Sequence, residues 1–278
     1  MKPVNPDIKL EVLISAYRVE GLRRVARLSH PQVEGVRYLV SWQPAGDDET
    51  DIPDELVVRD DFDISITHSV GSACNRNNAL EHSTGPLLMI SDDDLSYTEE
   101  QLLGVIAYFE SYKRCDLACF RYYSAEAPRN YPDKPFPLRR PAKGYYPVEF
   151  ELVLRRRLLD WGVRYNEWFG VNHEFIAGEG DIFLHDLLSR GANGWYVPFT
   201  ICTHHGDTTG DRMGVTPDFI RVKGAVFLHL HPCTWRLRMW IHALRARKTY
   251  PGGARAYRRA WITGVADAKR LKVYSCHS

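Results

Sequence analysis

The sequence predicts an α/β protein: a single Rossmann-like domain with a mostly parallel central sheet, followed by a C-terminal helical extension. Three observations predict it. Through the first half, β-rich runs alternate with stretches of helical spacing, which implies crossover connections between parallel strands. The run Leu87-Leu88-Met89-Ile90 is apolar throughout rather than alternating, as a strand covered on both faces must be. From Arg221 onward many Lys and Arg stand with a single acid, Asp267, so the tail differs in kind from what precedes it. The expected division is one domain over residues 1–215 and a basic helical extension over 216–278.

Taken in order, residues 8–14 are β-rich, and after Ser15-Ala16-Tyr17-Arg18 residues 21–28 have helical spacing. Residues 36–42 make a second strand, followed by a polar loop from Gln43 to Asp48. Residues 62–67 alternate and fit a more exposed third strand. A helix entered through Gly71 covers 72–83 and carries Asn75-Arg76-Asn77-Asn78. The Leu87 strand follows, then a helix over 97–112 and a strand over 117–123. Residues 124–146 are rich in Pro, Lys, Arg and Tyr without a period, and a loop this long in a compact domain is usually functional. Residues 148–154 read as a strand, with a short helix after it. Ala177-Gly178-Glu179-Gly180-Asp181 then opens a helix reaching residue 190. Residues 195–202 form a last strand, which ends at Thr203-His204-His205-Gly206-Asp207-Thr208-Thr209-Gly210. In the tail, residues 234–248 mix basic and apolar side chains at helical spacing, and a second helix covers 253–272.

Composition narrows the class. The net charge of +1 conceals the basic tail, and since no recognition motif accompanies that charge, nucleic acid is not the expected partner. The six cysteines are scattered; Cys115 and Cys119 stand four apart with no second pair, so free thiols in a reducing compartment are expected. The first residues lack the apolar core of a signal peptide, and no run is apolar over the roughly 18 residues that a membrane span needs. A soluble, cytoplasmic protein is the expectation.

Three groups of polar residues fall at strand ends or helix starts. Asp92, Asp93 and Asp94 close an apolar strand, where open α/β sheets place ligands, and clustered carboxylates call for a cation. The competing reading is a helix cap supplied by Asp94 or Ser96, although one cap needs only one aspartate. Arg76 has the planar fork that grips a diphosphate, or else is a solvated helix residue. Glu179 and Asp181 follow a glycine turn and serve either as helix-terminal acids or as a general base. His204 and His205 stand at a strand end, able to supply an imidazole to the same metal.

In this order the segments resemble glycosyltransferase family 2, nucleotide-sugar glycosyltransferases of the A-type (GT-A) fold, over most of the chain from Leu10 to about Gly210. Gly71 to Leu80 looks like the segment in which an Arg-Asn pair precedes the metal motif, and Ser91-Asp92-Asp93-Asp94 looks like the Asp-x-Asp motif. The resemblance gives Asp92 and Asp94 the metal (Mn2+ or Mg2+), and gives Arg76, Asp92 and Asp93 the donor. It gives His205 or His204 a C-terminal ligand role. Tyr165 to Gly170 resembles the acceptor side, with Trp168 and Phe169 placed to stack on a sugar, and Gly178-Glu179-Gly180-Asp181 resembles the motif holding the base. Two departures stand out. Gly180 separates Glu179 from Asp181 where the family has adjacent acids. Ser41-Trp42-Gln43 replaces an aspartate pair at the second strand end, which leaves Ala16, Tyr17, Arg18 and Gln43 as candidates for the nucleotide.

The resemblance implies transfer of a sugar, from a UDP-sugar in the first instance, to a glycan or lipid-linked acceptor hydroxyl with inversion, in surface polysaccharide synthesis. The basic amphipathic tail suits peripheral contact with the inner face of an anionic membrane, or else packs its apolar face on the catalytic domain. The alternative function is a non-catalytic nucleotide- or carbohydrate-binding protein on the same fold.

Overall fold

Strand β1 (Leu10–Tyr17) is buried from Leu10 to Ile14 and sets the frame for its neighbours. The structure, a computed structural model, describes residues 2–206 and 216–273. They form two compact units, residues 2–164 with 186–206 and residues 165–185 with 216–273.

In the first unit, β2 (Val36–Gln43), β3 (Phe62–Ile66) and β4 (Leu87–Asp92) lie in the order β3-β2-β1-β4, all parallel. Tyr17 pairs with Gln43 and Ser15 with Asp92, so the carboxyl ends of β1, β2 and β4 share one edge. Helices α1 (Arg18–Arg27) and α3 (Ser72–His82) make the crossovers, and α2 (Asp54–Val57) is a single turn. Helix α1 buries Val19, Leu22 and Val25, an apolar stripe at helical spacing. Polar residues secure α3 instead: Asn75 Nδ2 donates to the Ala16 carbonyl at 3.0 Å, and Asn78 Nδ2 to the Ser41 and Ser65 hydroxyls at 2.8 and 3.1 Å.

Beyond β4 the direction reverses. Strand β8 (Leu152–Arg155) lies antiparallel between β4 and β6 (Leu117–Tyr123), and β9 (Gly194–His204) runs parallel to β6. Short β5 (Leu95–Ser96) and β7 (Phe136–Pro137) pair antiparallel with β9. The sheet is mixed, its long ladders parallel and its short ones antiparallel. The strand expected from residue 148 begins later, because Glu149–Glu151 form a 3-10 turn in which the Glu151 carboxylate accepts the Val148 N–H. Helix α4 (Glu99–Ser111) is capped by Thr98, whose hydroxyl accepts the Gln101 N–H while the Gln101 side chain accepts that of Thr98. The cap therefore needs neither Asp94 nor Ser96. Val12, Ile14, Met89, Phe109, Phe120 and Val153 are among the core residues of this unit.

The second unit has its own core of Phe169, Phe175, Ile182, Trp235, Tyr257 and Trp261 among others. It takes in the start of α5 (Glu179–Ser189) and the helices α6 (Pro217–Leu230), α7 (Trp235–Ala246) and α8 (Gly253–Leu271). Helix α6 is new relative to the sequence reading. Thr216 caps it and Pro217 fits its first turn, where a missing N–H costs nothing. Helices α6 and α8 meet backbone to backbone. A Cβ on Gly224 would stand 2.1 Å from the Trp261 carbonyl oxygen, and one on Gly264 only 1.8 Å from that of Arg221.

Cys115, Cys119 and Cys202 are buried free thiols, Cys74 is half-buried and Cys233 exposed; Cys276 lies outside the described residues. Among the described residues no helix is long and apolar enough to cross a membrane.

Candidate functional site

The three aspartates leave the end of β4 in different directions. Asp92 meets Arg76, whose guanidinium donates to its Oδ1 at 2.9 Å, so Arg76 is a buried, paired residue and not a solvated one. Asp93 turns toward α1, where Arg24 grips it with two hydrogen bonds of 3.1 and 2.8 Å. Gly21 makes room for it, since a Cβ there would come within 2.5 Å of the Asp93 carboxylate. Burial raises the Asp93 carboxyl to about 6; Arg24 opposes this, and Asp94 and Asp92 reinforce it.

Asp94 lies beside the end of β9. The His204 ring nitrogen Nε2 is 3.4 Å from its Oδ2, and the His205 N–H donates to its carbonyl at 3.0 Å. His204 is held between Phe150, stacked at 5.2 Å, and Tyr122, edge-on at 5.9 Å. Burial alone would lower its pKa, but the Asp94 carboxylate reverses the shift and raises it. The His205 ring is engaged elsewhere, 2.8 Å from the Ser96 hydroxyl. Of the motif that follows, residues 207–210 lie outside the described residues.

The other candidates of this unit are placed as follows. Ala16 is fully buried, Tyr17 is exposed, and Arg18 opens α1 with a left-handed φ of 57°. The Arg18 carbonyl accepts the Trp42 indole N–H at 3.0 Å. Gln43 corrects an expectation: it is buried, and its amide donates to the carbonyls of Ser69 and Gly71 at 2.7 and 3.1 Å. It fastens the loop that enters α3, which leaves its donor groups no reach toward a nucleotide.

In the second unit Gly178 precedes α5 with φ +101°, and a Cβ there would stand 2.5 Å from Val226. Glycine is therefore required on both counts. Glu179 is buried and Asp181 exposed on the first turn of α5. Although solvent reaches Asp181, the protein atoms around it raise its carboxyl to about 6; Glu179 adds repulsion and Lys223 opposes it. Phe169 is the second correction. It is fully buried and stacks on Phe175 at 4.8 Å, as a core residue; its neighbour Trp168 is 43% exposed.

Sequence reasoning missed Arg24, Asn75 and Asn78. The asparagines gave a signal, two amides three apart on one helix face, of which Asn75 reaches the Ala16 carbonyl and Asn78 two strand serines, whereas the Arg24–Asp93 pair joins residues 69 positions apart and gave none.

A divalent cation fits the chemistry of this group. Asp94 Oδ1 is buried and makes no hydrogen bond, which is costly for a carboxylate oxygen, while its other oxygen faces an imidazole. Carboxylate oxygen with imidazole nitrogen suits Mn2+, and Mg2+ in the more oxygen-rich case. A cavity of about 590 Å3 elsewhere, lined by Asp218, Arg221, Tyr250, Arg255 and Arg259 with others, includes none of the candidate residues.

Comparison with known proteins adds three findings. The model of the family described as glycosyl transferase family 2 matches residues 48–176, a span holding Arg76 and Asp92 to Asp94 and stopping short of Glu179, Asp181 and the histidines. Comparison with curated proteins gives no match. Among solved structures, S. aureus TarS residues 1–349 in complex with UDP is similar at TM-score 0.58 and 16% identity, covering 87% of this chain and 72% of that one. The same protein in complex with UDP-GlcNAc gives 0.58 and 16%, over 94% and 80%. The mannosyltransferase PcManGT from Pyrobaculum calidifontis in complex with GDP-Man and Mn2+ gives 0.52 and 13%, over 99% and 79%. Identities this low speak for the fold, and the fold is GT-A.

Proposed function

We propose a reaction for this chain from one premise: it belongs to glycosyl transferase family 2, on the GT-A fold. It transfers a sugar from a nucleotide-sugar, a UDP-sugar in our reading, to a hydroxyl of a glycan or lipid-linked acceptor, with inversion, in the making of a surface polysaccharide. The C-terminal helices give it peripheral contact with the inner face of the membrane, where a lipid-linked acceptor would lie.

The observation that carries this reading is the pairing at the end of β4. Arg76 with Asp92 and His204 with Asp94 stand next to each other at the carboxyl edge of a parallel sheet, and one oxygen of Asp94 is buried without a partner. Asp94 and His204, with Asp92, would hold the divalent cation. When bound, that cation supplies positive charge to the departing diphosphate. Arg76 adds a fixed guanidinium, positioned in advance by Asp92, for the same phosphate oxygens. Arg24 holds Asp93 toward α1, which would leave Asp92 and Asp94 as the carboxylates for the cation.

On the acceptor side, Asp181 takes the proton of the incoming hydroxyl; the protein atoms around it raise its proton affinity, and Glu179 adds to this. A carboxyl near 6 is ionised at neutral pH yet more basic than an ordinary aspartate, as a general base should be. Attack opposite the leaving group gives inversion by single displacement. Trp168 is the exposed aromatic available to an acceptor ring.

The test is a thermal-shift series with nucleoside diphosphates and nucleotide-sugars, each with and without Mn2+. A Mn2+-dependent rise with a uridine nucleotide is the expected result. Folded protein that responds to no nucleotide would refute the reading.

A further inference from the structure

Helix α7 carries a second apolar stripe, opposite the one that holds it in place. Trp235, Met239 and Ala243 are buried, which accounts for its packing. Leu237, Trp240, Ile241 and Leu244 are between 39% and 63% exposed. At 3.6 residues per turn these four fall within an arc of about 100°. The same geometry places Arg238 and Arg245 along one margin of the stripe and Arg236 and Arg247 along the other, with Lys248 at its end. These basic residues are all exposed, and among the described residues none forms an ion pair. Helix α8 extends the surface: Arg258 lies over the Trp240 ring at 3.5 Å, and Ile262, one turn on, is 45% exposed. Between residues 219 and 266 the sequence has ten Lys and Arg and no Asp or Glu.

We propose that this face is a docking surface for an anionic phospholipid bilayer, with Leu237, Trp240, Ile241 and Leu244 entering the interfacial layer and the flanking arginines meeting phosphate headgroups. A four-residue apolar stripe with arginines on both sides has the charge and shape of an in-plane interfacial helix. Charge decides the occupant. A second copy seated on the same stripe would set arginines against arginines, since a two-fold contact pairs a patch with itself. Anionic headgroups offer opposite charge along both margins, and each basic side chain near such a surface adds to the attraction. The inference rests on the peripheral-contact part of the reading above and needs no catalysis.

The experiment is flotation of the full chain with vesicles of phosphatidylcholine alone or mixed with phosphatidylglycerol, at low and high salt. Nucleotide-dependent thermal shifts on the same samples report separately on the donor site. We expect binding to the mixed vesicles, little to the neutral ones, and weakening as salt rises. The double variants Leu237→Ser with Leu244→Ser and Arg238→Glu with Arg245→Glu should each reduce partitioning at least roughly tenfold without moving the nucleotide response. Absence of binding to mixed vesicles would overturn the proposal. So would leucine variants that bind as the parent does, or a dimer in sedimentation that these substitutions dissolve while the parent ignores vesicles.

Discussion

Asp92 is committed to Arg76, Asp93 to Arg24 and Asp94 to His204, so three chemically identical neighbours should respond differently to the same substitution. Asp94→Asn should weaken the Mn2+-dependent nucleotide response more than roughly 100-fold, because it removes a direct metal oxygen. Asp93→Asn should leave that response nearly intact and cost only about 1 kcal/mol of stability, since its partner Arg24 is half exposed. Equal effects from the two, measured by titrating Mn2+ against the thermal shift, would contradict the assignment. The base makes a pH prediction. The protein atoms packed around this solvent-reached carboxyl first, and Glu179 second, lift Asp181 to about 6, while Lys223 pulls it down. A base works ionised, so kcat/KM should climb with pH through about 6. Glu179→Gln should move that limb to lower pH and Lys223→Met to higher pH; a limb that both variants leave in place belongs to another group. The stability sign is opposite. The folded chain keeps a proton that the unfolded chain has lost between 3.8 and about 6, so the contribution of Asp181 to stability falls as pH rises through that window.

Helices and strands with local signals were readable, and those that depend on distant partners were not. Residues 117–123 read as a strand and form β6, and the helix expected over 97–112 is α4, bounded by its Thr98 capping box. Thr98→Ala should cost about 1 kcal/mol in chemical denaturation. The antiparallel insertion of β8 was invisible, because an apolar run has the same period whichever way its neighbours point. Helix α6 escaped because its run is apolar on most sides and is interrupted by Lys223 and Gly224, which blurs any single stripe. Gly224 is there for a tertiary reason, the carbonyl of Trp261. Replacing Gly264 with Ala should be among the harshest single-methyl changes in the second unit, costing about 3 kcal/mol, because the nearest atoms are backbone and cannot turn aside. A denaturation midpoint unchanged from the parent would disprove the close contact.

Across the whole chain, the candidate site was legible as chemistry before it was legible as geometry. Asp94 and His204 could be picked from the sequence because a strand end is where an α/β sheet gathers ligands, and Arg76 because its guanidinium fork suits a diphosphate. That His204 rather than His205 turns its ring to Asp94 follows from the pairing of β9 with β5, a relation between segments far apart in sequence. Gln43 and Phe169 were misread for the same reason: each sits in a plausible segment, and only the tertiary surroundings show that one fastens a loop and the other fills a core. Saturating nucleotide with Mn2+ at about 100 times its Kd should stabilise the chain by about 2.7 kcal/mol, which a melting curve resolves easily. The close approaches of Gly224 to Trp261 and of Gly264 to Arg221 bear on motion as well. With main chain against main chain at both glycines, any slip of α6 past α8 would have to move backbone, and we expect the two helices to open together. Amide hydrogens of residues 221–227 and 257–265 should accordingly exchange with deuterium at one shared rate, released together or not at all, while the outward face of α7 exchanges on its own clock.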